Sequence, residues 1–112
     1  MIGFKLVNNF VEVGRADMLP DPGKQLIEMD DRLVVLFRID GKFYCVDDLC
    51  SHDGGPLSDG DMCDKYYIAC PRHGARFDVR NGKACTMPAT EDIPAHEVKV
   101  ENGKLWIKLA DN

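Results

Sequence analysis

The chain has 112 residues and a formal net charge of −5, which suits one compact domain spanning residues 1–112. An acidic chain is a poor match for nucleic acid, whose phosphates attract basic surfaces, but it can be drawn to a basic face on a partner protein. No stretch is apolar for the length of a membrane span. The opening MIGFKLVNNF lacks the basic and apolar segments of a signal peptide, so a soluble cytoplasmic protein is expected.

Along the chain the pattern is short strands and tight turns. RADML (15–19) reads as a helical turn or two before Pro20. KQLIEM (24–29) and RLVVLFRI (32–39) read as strands flanking Asp30-Asp31, and the second is a continuous apolar run of the kind buried on both faces. Asp40-Gly41 separates it from KFYCVD (42–47), a hairpin signal because such turns need positive φ. Residues 48–64 are too rich in Gly, Asp and Pro for a strand, and a long loop in a compact domain is usually functional. YYIA (66–69) reads as a strand leading into Cys70, and Asn81-Gly82 marks a hairpin after RFDV (76–79). HEVKV (96–100) and KLWIKL (104–109) alternate across Asn102-Gly103, so each is expected to have one inward face. The expectation is an all-β domain of roughly eight to ten short strands, a sandwich or small barrel.

The chain has 5 Cys and 3 His. An odd cysteine count in a reducing compartment favours metal over a disulfide framework. Cys50-Ser51-His52 is C-x-H and Cys70-Pro71-Arg72-His73 is C-x-x-H, with 17 residues between His52 and Cys70. Gly54, Gly55 and Gly74 follow the two pairs, where glycine lets backbone N–H groups approach an anionic centre. Two loops with the same order of ligands imply one site of two thiolates and two imidazoles. Tetrahedral zinc is one occupant, although the order Cys-His-Cys-His and the absence of a histidine-bearing helix differ from the common zinc finger. A [2Fe–2S] cluster with two Cys on one iron and two His on the other is the second.

At these residues the sequence resembles the Rieske iron–sulfur family. CSHDGGPLSDG (50–60) and CPRHGARFD (70–78) match the two ligand loops, FRIDGKFYCVDDLCSH resembles the approach to the first, and FDVRNGKACTMPA the exit from the second. The resemblance implies a small β-sandwich of three antiparallel sheets with two cluster-binding loops at one tip. It implies that Cys50 and Cys70 bind the inner iron, and that His52 and His73 bind the outer iron near solvent. The branch found in cytochrome bc complexes has an extra cysteine in each loop, forming a disulfide, and a membrane anchor. Gly55 and Arg72 stand at those cysteine positions here. Ala75 and Phe77 stand where that branch has a serine and a tyrosine donating to sulfur. Loss of those donors, with Asp47, Asp48 and Asp53 nearby, implies a low potential, roughly −150 mV.

The implied function is a monomeric electron carrier between an NAD(P)H-dependent flavoprotein reductase and a terminal aromatic-ring-hydroxylating oxygenase, and not itself an enzyme. The alternatives are a small Rieske-like subunit of a nitrite reductase complex and a zinc-stabilised binding module. A catalytic oxygenase subunit would need a further domain with a mononuclear iron. His96 is expected to be a surface or half-buried side chain outside the ligand set. Cys45 is expected in the core, Cys63 and Cys85 as free thiols, and Trp106 and Tyr66 as packing residues. Pro71 and Pro56-Leu57 are expected to shape a rigid apolar lid over the site, and Arg72 is open to a partner contact.

Overall fold

A run such as Arg32–Ile39 needs apolar neighbours on both sides, and the fold supplies them. The computed structural model describes residues 6–7, 9–49, 56–71, 74–85 and 91–110. Ten strands follow in order: β1 (Leu6–Val7), β2 (Phe10–Arg15), β3 (Gly23–Met29), β4 (Arg32–Ile39), β5 (Lys42–Asp47), β6 (Met62–Cys63), β7 (Tyr67–Ala69), β8 (Arg76–Asp78), β9 (Ala95–Glu101) and β10 (Lys104–Lys108). A 3₁₀ turn covers Ala16–Met18, within the segment expected to be helical. The strands form a seven-stranded sheet in the order β1-β2-β10-β9-β5-β4-β3 and a three-stranded sheet β6-β7-β8. All of the pairings are antiparallel. The resemblance implied three sheets. Strand β9 pairs with both β10 and β5 and so joins two of them into one.

Strand β4 is a septum between two cores. Val35, Phe37 and Ile39 face a cluster with Leu57, Ile68, Cys70, Ala75, Phe77, Val79 and Ile93. Val34 and Leu36 face the other way, into a cluster with Leu19, Met29, Cys45, Leu105 and Ile107. Each such side chain, fully buried, contributes roughly 1.5–3 kcal/mol. Strand β5 repeats the division, with Cys45 in the second core and Val46 in the first. The hairpin turns obey their sequence signals. Asp40-Gly41 has φ of 52° and 77°, and Asn102-Gly103 has 54° and 74°. Asp30 and Asp31 hold positive φ as well, at 47° and 63°.

Three expectations need correction. Met62–Cys63, inside the segment judged too polar for a strand, is β6, because even two residues can exchange ladder bonds with Ile68 and Tyr67. Strand β10 is buried on both faces at its centre, since Trp106 is only 7% exposed between Leu105 and Ile107. A register shift between Leu105 and Trp106 accompanies this. Val100, expected inward, is 49% exposed. Strand β2 was not anticipated, although Val11 and Val13 alternate along it and pack on the second core.

The small sheet is pressed onto the first core by one close approach. Gly60 N–H donates to Leu57 O at 2.8 Å, and a Cβ on Gly60 would stand 2.0 Å from Ala69 O. That oxygen is backbone and cannot swing aside. Gly60→Ala is therefore expected to lower unfolding stability by about 1–3 kcal/mol, read as a fall in the urea midpoint without a change in slope. An unchanged midpoint would mean that the turn moves freely against β7.

Candidate metal centre

The two ligand loops leave strands of the two different sheets, which share one apolar bed. The first follows β5. Its foot is Asp48, and its far end is Leu57, which is fully buried. Asp48 Oδ1 accepts from Leu57 N–H at 2.7 Å and Ser58 N–H at 2.6 Å, and its Oδ2 accepts from the Ser58 hydroxyl at 3.2 Å. One carboxylate thus closes the loop on itself. The second loop joins β7 to β8. Cys70 N–H donates to Ala75 O at 2.7 Å, and Gly74 N–H donates to Cys70 O at 2.9 Å. Gly74 has φ of 76°, which a side chain at that turn would strain.

Of the four expected ligands, Cys70 is described, and it is 2% exposed. Cys50, His52 and His73 lie outside the described residues, as do Asp53, Gly54, Gly55 and Arg72. Cys70 shares its apolar cluster with Leu57, Ala75 and Phe77. The close packing of Gly60 on Ala69 therefore sets the end of the first loop beside the residue preceding Cys70. Of the residues expected to form an apolar lid, Leu57 is buried in the core, whereas Pro56 and Pro71 are exposed.

A model of the Rieske [2Fe-2S] domain matches residues 9–99. The chain belongs to this family. It is 38% identical over 93 residues to the 3-phenylpropionate/cinnamic acid dioxygenase ferredoxin subunit of Photorhabdus laumondii, covering 83% of this chain and 88% of that one. It superposes with a TM-score of 0.85 on the ferredoxin of carbazole 1,9a-dioxygenase from Nocardioides aromaticivorans, at 27% identity, covering 92% of this chain and all of the other. A complex of reduced oxygenase and oxidised ferredoxin in carbazole 1,9a-dioxygenase matches with a TM-score of 0.83 at 25% identity, covering 91% of this chain and 94% of the matched one. The Rieske protein is an electron carrier rather than a catalytic enzyme, and its cofactor is a Rieske-type [2Fe–2S] cluster. The zinc reading gives way to it.

The described residues suit that group. Two ferric irons, two sulfides, two thiolates and two neutral imidazoles sum to no net charge. An apolar bed such as Leu57, Ala75 and Phe77 therefore carries little desolvation penalty for the oxidised cluster. Cys70 supplies a soft donor from within that bed.

Behind the first loop lies a polar knot that the sequence did not disclose. His96 is buried, more deeply than expected, with Nε2 2.7 Å from Asp47 Oδ1. Ala110 N–H donates to His96 Nδ1 at 2.9 Å, so the proton sits on Nε2 and is donated to Asp47. Arg32 completes the knot, donating to Asp47 Oδ1 at 2.9 Å and to Ala110 O at 3.2 Å. Burial pushes the His96 pKa below its ordinary value of 6.5, and the Asp47 hydrogen bond opposes this only in part. One signal was available: in HEVKV, His96 shares its alternation with Val98, which packs on the second core. The remaining cysteines stand as expected, with Cys45 buried and Cys63 and Cys85 free. Tyr66 packs edge-on against Tyr44 at 6.2 Å, with the Arg80 guanidinium 4.2 Å from its ring centre.

Two expectations follow. Asp48→Ala removes an acceptor from two loop N–H groups and is expected to destabilise the loop by about 2–3 kcal/mol, read as faster loss of iron under chelator than in Asp48→Asn, which keeps one acceptor oxygen. Equal iron-loss rates for the two variants and the parent protein would show that the loop is held elsewhere. His96 is the second case. Its folded pKa is depressed, so its contribution is fully present above pH 6.5 and is lost as pH falls from there through the folded value. Melting temperatures measured from pH 7.5 down to pH 5 should fall more steeply for the parent protein than for His96→Gln.

Proposed function

We propose that this Rieske protein is a cytoplasmic, monomeric ferredoxin that carries one electron at a time from an NAD(P)H-dependent flavoprotein reductase to a terminal aromatic-ring-hydroxylating oxygenase. The whole chain acts as one Rieske unit. Cys50 and Cys70 hold the inner iron, and His52 and His73 hold the outer iron. The observation that carries the reading is the buried Cys70 thiol in the same apolar cluster as Leu57, which ends the first loop. Bound there, the cluster supplies a one-electron couple. The chain's own part is to hold both loops rigid, keep water from the inner ligands and leave the outer edge open to a partner.

Support for the partner class comes from the ferredoxin subunit of the Photorhabdus dioxygenase and from the carbazole oxygenase–ferredoxin complex. Neither likeness favours the nitrite reductase subunit. Among the described residues no helix is long and apolar enough to cross a membrane.

The test has two readouts. Purified protein reduced with dithionite should give an EPR signal with average g below the free-electron value, with about two irons and two sulfides per chain. Cys70→Ser and His73→Ala should each abolish it. Reduced protein should then support turnover by the oxygenase component of the 3-phenylpropionate/cinnamic acid or the carbazole system. Retention of the signal in both variants would sink the ligand assignment. A normal signal without electron delivery to either oxygenase would sink the relay.

A further inference from the structure

Strands β3 and β4 carry an apolar face that their own fold does not finish covering. Pairing sets Leu26 opposite Val35 and Glu28 opposite Leu33, so these four side chains share the face that forms the first core. Val35 is fully buried, yet Leu26 and Leu33 are 47% and 48% exposed. The cover ends at Ser58, whose carbonyl accepts from Lys24 Nζ at 2.7 Å. At the next strand, Asp48 N–H donates to Leu33 O at 2.9 Å. Register places this patch beside the first ligand loop, since Val34 pairs with Asp47 at the end of β5.

The charge around the leucines is mainly negative. Glu28 lies between Leu26 and Leu33, and the exposed Asp30-Asp31 turn closes the end. Arg32 is paired with Asp47, and Lys24, on the same face as Leu26, donates to the Ser58 carbonyl, which leaves one ammonium against three carboxylates. Joining two copies through this patch would bring two acidic rims together, which disfavours self-association.

We propose that Leu26 and Leu33, rimmed by Glu28, Asp30 and Asp31, form the docking face for the terminal oxygenase, which meets it with apolar side chains ringed by lysine and arginine. The proposal rests on the relay reading. A ferredoxin of the same fold does form a complex with its oxygenase. Apolar contact would supply affinity, and the acidic rim would supply approach and orientation.

The experiment is steady-state turnover with whichever of the two oxygenase components accepts electrons from the parent ferredoxin. Leu26→Gln/Leu33→Gln should raise the KM for ferredoxin about tenfold and leave kcat unchanged. Asp30→Asn/Asp31→Asn should raise it about threefold at low salt and flatten its salt dependence. Asparagine tolerates the positive φ of that turn, so this variant decides the matter if the leucine variant fails to fold. EPR spectra and reduction by dithionite should match the parent in both. Unchanged KM values overturn the proposal. So does a defect confined to reduction by the flavoprotein reductase, or a parent dimer that the leucine variant dissolves. If the parent reduces neither oxygenase, the relay reading fails and the docking face with it.

Discussion

Two consecutive carboxylates decide how the metal-binding half of this protein is attached to the rest. Asp47 and Asp48 leave β5 on opposite faces because side chains alternate along a strand. Asp47 turns toward Arg32 and His96, and through them toward Ala110 near the end of the chain. Asp48 turns the other way and closes the first loop at Leu57 and Ser58. The same short segment therefore fastens the large sheet behind the site and the loop in front of it. A buried carboxylate without partners would be severely penalised. Here each is supplied with donors, so the polar knot adds direction to a bed that is otherwise apolar.

The septum strand makes this attachment rigid. Val34 to Phe37 are at most 1% exposed, and their alternation divides two cores that cannot shift independently. A loop closed on one core is thereby referred to the other. For an electron carrier this matters because adding an electron changes the charge of the centre, and a stiff surround has little to rearrange when it does. Strand β7 contributes in the same way. It runs under Gly60 into Cys70, so the thiol inherits its position from backbone packing and not from a mobile side chain.

Much of the fold was legible because its signals are local. The Asp40-Gly41 and Asn102-Gly103 turns, the apolar run at 32–39 and the alternation in 104–109 each follow from residues within one hairpin. Strand β6 was not legible, since Met62–Cys63 is too short to carry a period and is made a strand by its neighbour. The ligand motifs C-x-H and C-x-x-H stand out in the sequence because their chemistry is written in the residue types. The supports of the loops do not. Arg32, Asp47, His96 and Ala110 are scattered over 78 positions, and only pairing between β4, β5 and β9 brings them together.

The same scatter alters the electrostatic argument about the potential. Read from the sequence, Asp47 and Asp48 are two negative charges beside the first ligand, and both would oppose an added electron. In the fold Asp47 lies 2.9 Å from the Arg32 guanidinium, so at the distance of the site the pair acts more as a dipole than as a charge. Asp48 keeps its charge but spends it on the N–H groups of Leu57 and Ser58. The weight of the argument for a low potential then moves to the second loop. Ala75 and Phe77 are fully buried in the cluster that contains Cys70, and neither has a hydroxyl to offer a sulfur. The expectation of a low potential then rests on donors that are absent more than on carboxylates that are present.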